Sequence, residues 1–255
     1  MAAATAPPPP RPLPPAGTVL AAPAFDGGDA DACVAPLAWF CPPTVPPRAA
    51  GGVLTVTPAA KTDFWSNTFY GFPDPQPHNG HVAFVEVVGD FVCSVSVSAR
   101  PRARYDQAGL MVLVPGSTGE WLKASVEFIP DGPSHLGSVV TNGAFSDWAT
   151  QDIELPRDAA GAAFSTFDFR VRRLGCDYIV ESRPGGAGHA PWSQIRMAHL
   201  HADRAGAPVR VGLYACSPLG VEAAAGTGGD AAPDAPAAPP FTAEFTGFTV
   251  VSGRL

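Results

Sequence analysis

The feature that most constrains the fold of this chain is its series of short apolar or alternating runs, each bounded by glycine, proline, asparagine or aspartate. These runs recur roughly every 10 to 15 residues, and the stretches between them lack the periodicity of an amphipathic helix. The predicted strands are 53–57, 82–87, 91–98, 108–114, 121–129, 135–141, 167–172, 178–182, 195–199, 209–216 and 245–251. This spacing favours an all-β, two-sheet antiparallel β-sandwich over βαβ units.

Composition excludes several other classes. The 255 residues include 27 glycines and 30 prolines, which break helices and so exclude a helical bundle or coiled coil. The net charge of −7 opposes binding to a nucleic-acid backbone or an anionic membrane surface, so we expect neither partner. No apolar run approaches the roughly 18 residues that a membrane-spanning helix needs.

The N-terminal residues and the cysteines bear on the cellular compartment. The first fifteen residues lack a basic segment followed by an apolar one, so no signal peptide is predicted. The cysteines are odd in number and form no C-x-x-C pair, which favours reduced thiols in a cytoplasmic protein. They are Cys33, Cys41, Cys93, Cys176 and Cys216.

Low-complexity segments set the expected domain limits. Residues 1–24 are rich in proline and alanine and are predicted to form a disordered tail. Residues 25–255 then form a single domain, with a long low-complexity loop at 221–240. Tight hairpin turns are predicted at Gly89-Asp90, at 115–119 and at 183–186.

The strand at 121–129 alternates clearly between apolar and polar residues. Its even positions should face the core, and they are Leu122, Ala124, Val126 and Phe128. The opposite face carries Trp121, Lys123, Ser125 and Glu127. That face is either ordinary solvent-exposed surface or the lining of a concave polar groove.

Eight short motifs follow one another in a recognisable order. They are Thr62-Asp63-Phe64-Trp65, Tyr70-Gly71-Phe72, Asn79-Gly80-His81, Val88-Gly89-Asp90-Phe91, Tyr105-Asp106-Gln107-Ala108-Gly109-Leu110-Met111, Trp121-Leu122-Lys123 with Val126-Glu127-Phe128, His135-Leu136 with Ser138-Val139-Val140-Thr141, and Phe145-Ser146-Asp147-Trp148. Together they resemble the domain-of-unknown-function family that includes the fungal regulation-of-enolase protein. The resemblance runs from about residue 25 to the C-terminus.

The resemblance implies a jelly roll of the concanavalin A-like type, the architecture of many lectins and glucanases. It implies no settled biochemical activity. The chain departs from the family pattern in its proline-rich tail, in residues 73–77 and in the 221–240 insertion.

Catalytic and metal-binding motifs are weak. Glycoside hydrolysis needs two carboxylates that face one cleft, and the Glu-x-Asp-x-Glu spacing of jelly-roll glucanases does not occur. Asp152 and Glu154 share a strand face and are predicted to be a solvated edge. His199 and His201 have a spacing that can bind zinc, but no third ligand follows locally, so an exposed pair is predicted. Without a G-x-S-x-G or a phosphate-binding glycine loop, we expect no nucleophilic serine, no metal and no cofactor.

Aromatic and polar residues within the family-like motifs form the candidate ligand-binding set. The predicted residues are His81, Tyr105, Asp106, Gln107, Trp121, Lys123, Glu127 and Trp148, with Tyr70, Asn79 and Asp147 nearby in the motifs. Aromatic faces stack on sugar C–H surfaces, and planar polar groups bond hydroxyls. The alternative is structural: the aromatic residues are core or corner residues, the aspartates cap turns, and Lys123 pairs with Glu127.

Three functional hypotheses follow. The first is a non-catalytic binding module that takes a carbohydrate or sugar-derived ligand on the concave sheet face. The second is a cytoplasmic regulatory protein of central carbon metabolism that acts through a protein partner. The third is a glycoside hydrolase with an unrecognised carboxylate pair that includes Glu127.

Overall fold

The computed structural model describes residues 13–26, 37–69, 78–117, 119–186, 190–220 and 241–253. Every element assigned within these ranges is a strand. The fifteen strands are β1 (Val19–Ala21), β2 (Ala38–Phe40), β3 (Arg48–Ala50), β4 (Val53–Val56), β5 (His81–Val88), β6 (Phe91–Arg100), β7 (Gln107–Leu113), β8 (Trp121–Glu127), β9 (Ser134–Asn142), β10 (Phe145–Ile153), β11 (Ser165–Leu174), β12 (Asp177–Pro184), β13 (Ser193–His199), β14 (Pro208–Cys216) and β15 (Thr242–Ser252). Within the same ranges, no helix has the length and apolarity that crossing a membrane requires.

The strands form two antiparallel sheets. Sheet I has the order β13-β12-β11-β6-β15-β4-β3, with β1 also paired to β15, and sheet II has the order β10-β9-β8-β7-β14-β5-β2. The main hydrophobic core fills the space between the sheets, with residues such as Phe91 and Phe245 from sheet I and Leu110 and Leu122 from sheet II. The predicted two-sheet jelly roll is therefore confirmed.

The side-chain alternation predicted for β8 is confirmed. Leu122, Ala124 and Val126 lie in the main core between the sheets. Trp121 lies in a separate apolar cluster on the opposite face of sheet II. All seven residues of β8 are buried. The outer face of sheet II is therefore covered by other parts of the chain at β8.

Four strands were not predicted, and one of them changes the expected domain limits. These strands are β1, β2, β3 and β10. β1 lies inside the expected disordered tail, where Val19 pairs with Val251 of β15. Residues 13–24 therefore belong to the described fold, because the backbone of β15 offers β1 hydrogen-bonding partners. Residues 1–12 and the predicted loop at 221–240 lie outside the described residues.

The Gly89-Asp90 turn differs from its prediction. It joins β5 of sheet II to β6 of sheet I, so the chain crosses from one sheet to the other and forms no hairpin there. The other two turns join paired neighbours, β7 with β8 and β12 with β13. A sequence pattern marks a turn, but it does not say whether the next strand pairs with the previous one or packs against it.

A buried ion pair lies at one end of the sandwich. Arg173 of β11 and Asp203 have side chains with 0% exposure, and Arg173 Nε lies 3.0 Å from Asp203 Oδ2. The hydroxyl of Tyr178 donates to the same oxygen at 2.6 Å. Arg173 also donates to the carbonyl oxygens of Gly89 and Ala207 at 3.1 and 3.2 Å. These bonds fasten the β13–β14 connection to β11 and β12 of sheet I, and Arg173 also binds the β5–β6 turn.

The four cysteines within the described ranges are free thiols: Cys41, Cys93, Cys176 and Cys216. Cys93 and Cys216 are buried, and burial raises the pKa of both thiols. A thiol with a raised pKa is a poor nucleophile. Cys33 lies outside the described residues.

Candidate functional site

The outer face of sheet II is covered by the connection between β4 and β5, residues 57–69 and 78–80 in the described structure, here called the covering segment. Phe64 of this segment packs edge-on against Trp121 of β8, with ring centroids 5.7 Å apart. Trp65 packs edge-on against Trp148 of β10, with centroids 6.2 Å apart and ring planes at 82°. The chain itself therefore fills the middle of the predicted groove.

Hydrogen bonds fix the covering segment at two places. In its interior, the Ser66 N–H donates to the Ser146 hydroxyl at 2.9 Å, and the Ser146 N–H donates to the Ser66 carbonyl at 3.1 Å. Near its start, the Ala59 N–H donates to His81 Nε2 at 3.1 Å. Since His81 Nε2 accepts, its Nδ1 carries the proton and donates to the Cys41 carbonyl at 2.5 Å. Burial lowers the pKa of His81, which keeps the imidazole neutral.

A buried polar cluster lies between the covering segment and sheet II. Lys123 Nζ lies 2.8 Å from Gln107 Oε1, 3.5 Å from Asp63 Oδ1 and 3.8 Å from Glu127 Oε1. The Tyr214 hydroxyl donates to the same Gln107 oxygen at 3.0 Å. Three predicted site residues, Gln107, Lys123 and Glu127, are thus brought together.

Burial and the neighbouring charges shift the pKa values of the groups in this cluster. Burial raises the pKa of Glu127 to about 7, with the neighbouring Lys123 lowering it and Asp63 raising it. Burial alone would lower the pKa of Lys123, but Asp63 and Glu127 raise it above its usual value. The cluster therefore holds a charged ammonium group and a carboxyl group that titrates near neutrality. Lys123 contacts the covering segment directly through Asp63, and Glu127 contacts Lys123.

Tyr105 and Asp106 form the turn that precedes β7. Asp106 Oδ2 accepts the N–H groups of Arg102 and Ala103 at 2.7 and 2.8 Å, and Asp106 Oδ1 accepts the Ser217 hydroxyl at 2.5 Å. Asp106 is buried and these donors occupy both of its carboxylate oxygens, which matches the predicted alternative of a turn cap. Tyr105 has a positive φ of 69° and is half-buried.

An open depression of about 510 Å³ lies at the β10 edge of sheet II. Its described lining residues are Trp65, Thr68, Phe69, Ser146, Asp147 and Trp148. Phe69 is 91% exposed, and the Trp65 indole N–H donates to the Thr68 carbonyl at 2.9 Å. Trp148 is half-buried and packs edge-on against His135, with centroids 5.5 Å apart.

Trp148 presents mainly carbon to this depression. Its indole nitrogen is buried and has no hydrogen-bond partner among the described residues. The part of the ring that reaches the surface is therefore its hydrocarbon portion. Trp148 is the predicted site residue that lines the depression, whereas His81, Asp106, Gln107, Trp121, Lys123 and Glu127 are buried elsewhere. Tyr70 lies outside the described residues.

Several residues of the buried polar cluster and of the depression were not in the predicted set. Asp63 and Tyr214 complete the buried cluster, and Trp65, Thr68 and Phe69 complete the depression. Asp63 and Trp65 stand in the first family-like motif, which was a usable signal for both. Nothing in the spacing of Thr68 or Phe69 indicates that they meet β10.

The weaker candidates have local partners. His135 Nδ1 lies 3.2 Å from Asp152 Oδ1, and His199 Nδ1 lies 2.6 Å from Asp177 Oδ1. The rings of His199 and His201 are 5.7 Å apart. Across the described ranges, no group of three or more histidine, cysteine, aspartate or glutamate residues is placed to hold a metal ion. His189, the histidine nearest to this pair along the chain, lies outside the described residues.

Comparison with known proteins identifies the family of this chain. A family profile described as "Protein of unknown function (DUF1349)" matches residues 39–252. The chain belongs to the DUF1349 family. Regulation of enolase protein 1 of Saccharomyces cerevisiae is 46% identical over 99 residues, which are 39% of this chain and 46% of the yeast protein. An uncharacterised Emericella nidulans protein is 30% identical over 113 residues, which are 43% of this chain and 52% of that protein. The matches thus span about half the length of these curated relatives.

Several solved structures have a fold similar to that of this chain. A functionally unknown protein from Saccharomyces cerevisiae superposes with a TM-score of 0.65 at 26% identity, covering 87% of this chain and 98% of that one. The CBM2 module of the evolved Dit of Lactobacillus casei BL23 phage J-1 gives 0.52 at 8% identity, covering 94% and 98%. A Bacillus halodurans xylan β-1,4-xylosidase gives 0.50 at 12% identity, covering 78% and 33%. At such low identities, the last two likenesses concern the fold alone.

Proposed function

We propose that this DUF1349 protein is a non-catalytic binding module that recognises a carbohydrate at the depression around Trp148. The observation that carries the proposal is the aromatic wall formed there by the half-buried Trp148 and the exposed Phe69, with the buried Trp65 packed edge-on against Trp148. Aromatic carbon surfaces stack against the C–H faces of sugars. The volume of about 510 Å³ lies within the range of small-molecule sites.

The buried predicted residues have a supporting part in this proposal. Asp63 contacts Lys123 two residues before Trp65, and the Ser66 hydrogen bonds follow directly after it. The polar cluster and these bonds hold Trp65 against Trp148. A preorganised aromatic wall loses less conformational entropy when a ligand binds.

Titration calorimetry with neutral β-1,4-linked hexasaccharides of glucose, xylose and mannose tests the proposal. Wild-type protein is expected to bind at least one, and Trp148→Ala is expected to weaken that binding about fivefold or more, since one stacked ring contributes about 1 kcal/mol or more. Trp192→Ala is the matched control, because Trp192 stacks on Arg170 and Arg183 of sheet I, 4.5 and 4.4 Å from their guanidinium carbons. Absence of heat with folded wild-type protein, or equal affinity of Trp148→Ala, would contradict the proposal.

A second candidate function rests on the 46% identity to Regulation of enolase protein 1 over 99 residues. On this hypothesis the chain acts as a regulatory protein through a protein partner, and enolase is the partner that the relative's name suggests. Sedimentation of the purified chain with purified enolase, together with an enolase activity assay, separates the two candidates. A stoichiometric complex with altered activity favours regulation, and independent sedimentation at micromolar concentrations speaks against it.

The geometry around Glu127 does not support glycoside hydrolysis, the third hypothesis. The Glu127 side chain is 9% exposed and its carboxyl oxygen lies 3.8 Å from Lys123 Nζ. A general acid must reach the glycosidic oxygen of a bound substrate, and Glu127 contacts the covering segment's cluster instead.

A further inference from the structure

The outer face of β10 continues beyond Trp148 as open surface. Trp148 lies opposite Val139 of β9, which belongs to the apolar cluster of the outer face, and Asp152 lies opposite His135. Because side chains alternate along a strand, Trp148, Thr150 and Asp152 point to this same face of sheet II. Thr150 and Asp152 are exposed. The face next to Trp148 is therefore accessible along the second half of β10.

His135 connects Trp148 to Asp152 on this face. Its ring packs edge-on against Trp148, with centroids 5.5 Å apart, and its Nδ1 lies 3.2 Å from Asp152 Oδ1. Gly137 is the outward position of β9 between Val139 and His135, so no side chain separates the indole from the imidazole. The three side chains thus form one continuous row.

The pair of His135 and Asp152 offers hydrogen-bond acceptors. In the neutral ring, Nδ1 carries the proton that faces the carboxylate, and Nε2 is an acceptor. Among the described residues, neither His135 Nε2 nor Asp152 Oδ2 has a hydrogen-bond partner. The two side chains are 26% and 70% exposed, so water reaches the pair. The hydroxyl groups of a sugar are donors that match both acceptors.

The length of this row indicates the length of the ligand. Ser146 lines the depression, and six residue steps of β10 separate it from Asp152, which corresponds to about 20 Å along a strand. A disaccharide seated in the depression is shorter than this distance. An oligosaccharide of several units that stacks on Trp148 can reach both ends.

We infer that His135 and Asp152 form a second subsite, which binds hydroxyl groups of the same oligosaccharide that stacks on Trp148. The ligand then runs along the outer face of β10 and is longer than a disaccharide. This inference rests on the proposed function and extends its site beyond the depression.

Calorimetry with three pairs of β-1,4-linked sugars tests the second subsite: cellobiose with cellohexaose, xylobiose with xylohexaose, and mannobiose with mannohexaose. In at least one pair the hexasaccharide should bind about fivefold more tightly or better, because each hydrogen bond contributes about 1 kcal/mol. His135→Phe keeps an aromatic ring against Trp148 and removes the acceptor, and Asp152→Ala removes the carboxylate. Each should reduce the advantage of the hexasaccharide about threefold or more and leave the affinity for the disaccharide unchanged.

Asp147→Ala is the matched control on the same strand. Asp147 lies opposite Val140, which belongs to the core between the sheets, and its Oδ1 lies 3.0 Å from a guanidinium nitrogen of Arg196 in sheet I. Its carboxylate therefore lies on the face opposite the Trp148 ring. Both affinities should equal those of the wild-type protein. The midpoint of thermal unfolding should change little in all three variants, because the ion pairs involved are partly exposed.

The outcomes separate the inference from the proposed function. If both variants keep the full advantage of the hexasaccharide, or if wild-type protein binds both lengths equally, the second subsite is absent while carbohydrate binding stands. If His135→Phe and Asp152→Ala weaken both lengths alike, these residues only support Trp148 and the inference fails. If folded wild-type protein binds none of the six sugars, the proposed function and the inference fail together.

Discussion

Lys123 of β8 and Asp63 of the covering segment join across the outer face of sheet II, with 3.5 Å between the Lys123 ammonium nitrogen and Asp63 Oδ1. Lys123 is 2% exposed, so its charge is almost fully removed from water. A buried ammonium group requires nearby acceptors, and Gln107 and Glu127 are the others. The covering segment is thus part of the electrostatic balance of the sheet beneath it.

Glu127 should make stability depend on pH between its unfolded and folded pKa values. Its folded pKa of about 7 exceeds the ordinary value of 4.5, so the folded state binds the proton more tightly. The contribution of Glu127 to the free energy of unfolding should therefore be greatest below pH 4.5 and should fall as pH rises to 7. Urea unfolding at several pH values should show that Glu127→Gln lacks this fall, which amounts to about 1 to 3 kcal/mol. Glu86→Gln, on an exposed carboxyl, should keep the wild-type slope, and an identical slope in Glu127→Gln would contradict the prediction.

His81 should have the opposite effect on how stability depends on pH. Burial lowers its folded pKa below the ordinary 6.5, so the unfolded state binds the proton more tightly and stability should fall as pH drops below 6.5. Nitrogen NMR of the folded protein at pH 6 should show a neutral ring protonated at Nδ1. A ring protonated at both nitrogens at that pH would contradict the hydrogen bond from the Ala59 N–H.

The buried pair of Arg173 and Asp203 should be among the most sensitive positions. Asp203→Asn leaves the Arg173 guanidinium buried without its counter-charge and should lower the free energy of unfolding by about 3 to 5 kcal/mol. Glu86→Gln breaks the exposed pair with Arg210, at 51% and 35% side-chain exposure, and should cost less than about 1 kcal/mol. The midpoints of urea unfolding measure both, and similar losses would show that burial does not set the difference.

Gly109 should not accept a side chain, although its φ is ordinary. A Cβ there would lie 1.8 Å from the Ala124 carbonyl oxygen of the neighbouring strand, so Gly109→Ala must displace β8. We expect a loss of about 3 kcal/mol or failure to fold. Gly132→Ala is the control, because its nearest atom is Ile129 Cγ2 at 3.9 Å. Its change should stay within about 1 kcal/mol. Thermal unfolding compares the two, and a stable Gly109→Ala protein would contradict the contact.

Most of the fold could be predicted because side-chain alternation is a local property. Leu122, Ala124 and Val126 were placed correctly by their spacing alone. β10 was missed because it is an edge strand whose residues from Phe145 to Ile153 are mostly exposed, so they show no apolar period. The Asn142-Gly143 pair before it was the available turn signal.

The candidate site was harder to predict because it depends on contacts between distant segments. The sequence places Trp121 and Lys123 on the face opposite the core, but it does not show that Phe64 and Asp63, about sixty residues earlier, cover that face. The depression likewise joins Trp65 with Trp148 across more than eighty residues. Residue spacing within one strand carries no information about contacts between segments that are distant in the sequence.

Both faces of β8 are buried, and this restricts where the sequence can vary among proteins of this fold. A substitution along β8 disturbs either the interior between the sheets or the layer under the covering segment, so the centre of sheet II is expected to resist sequence drift. The edge strand β10 has room to vary, since most of its side chains reach water. We therefore expect relatives that differ in what they bind to differ first along this margin.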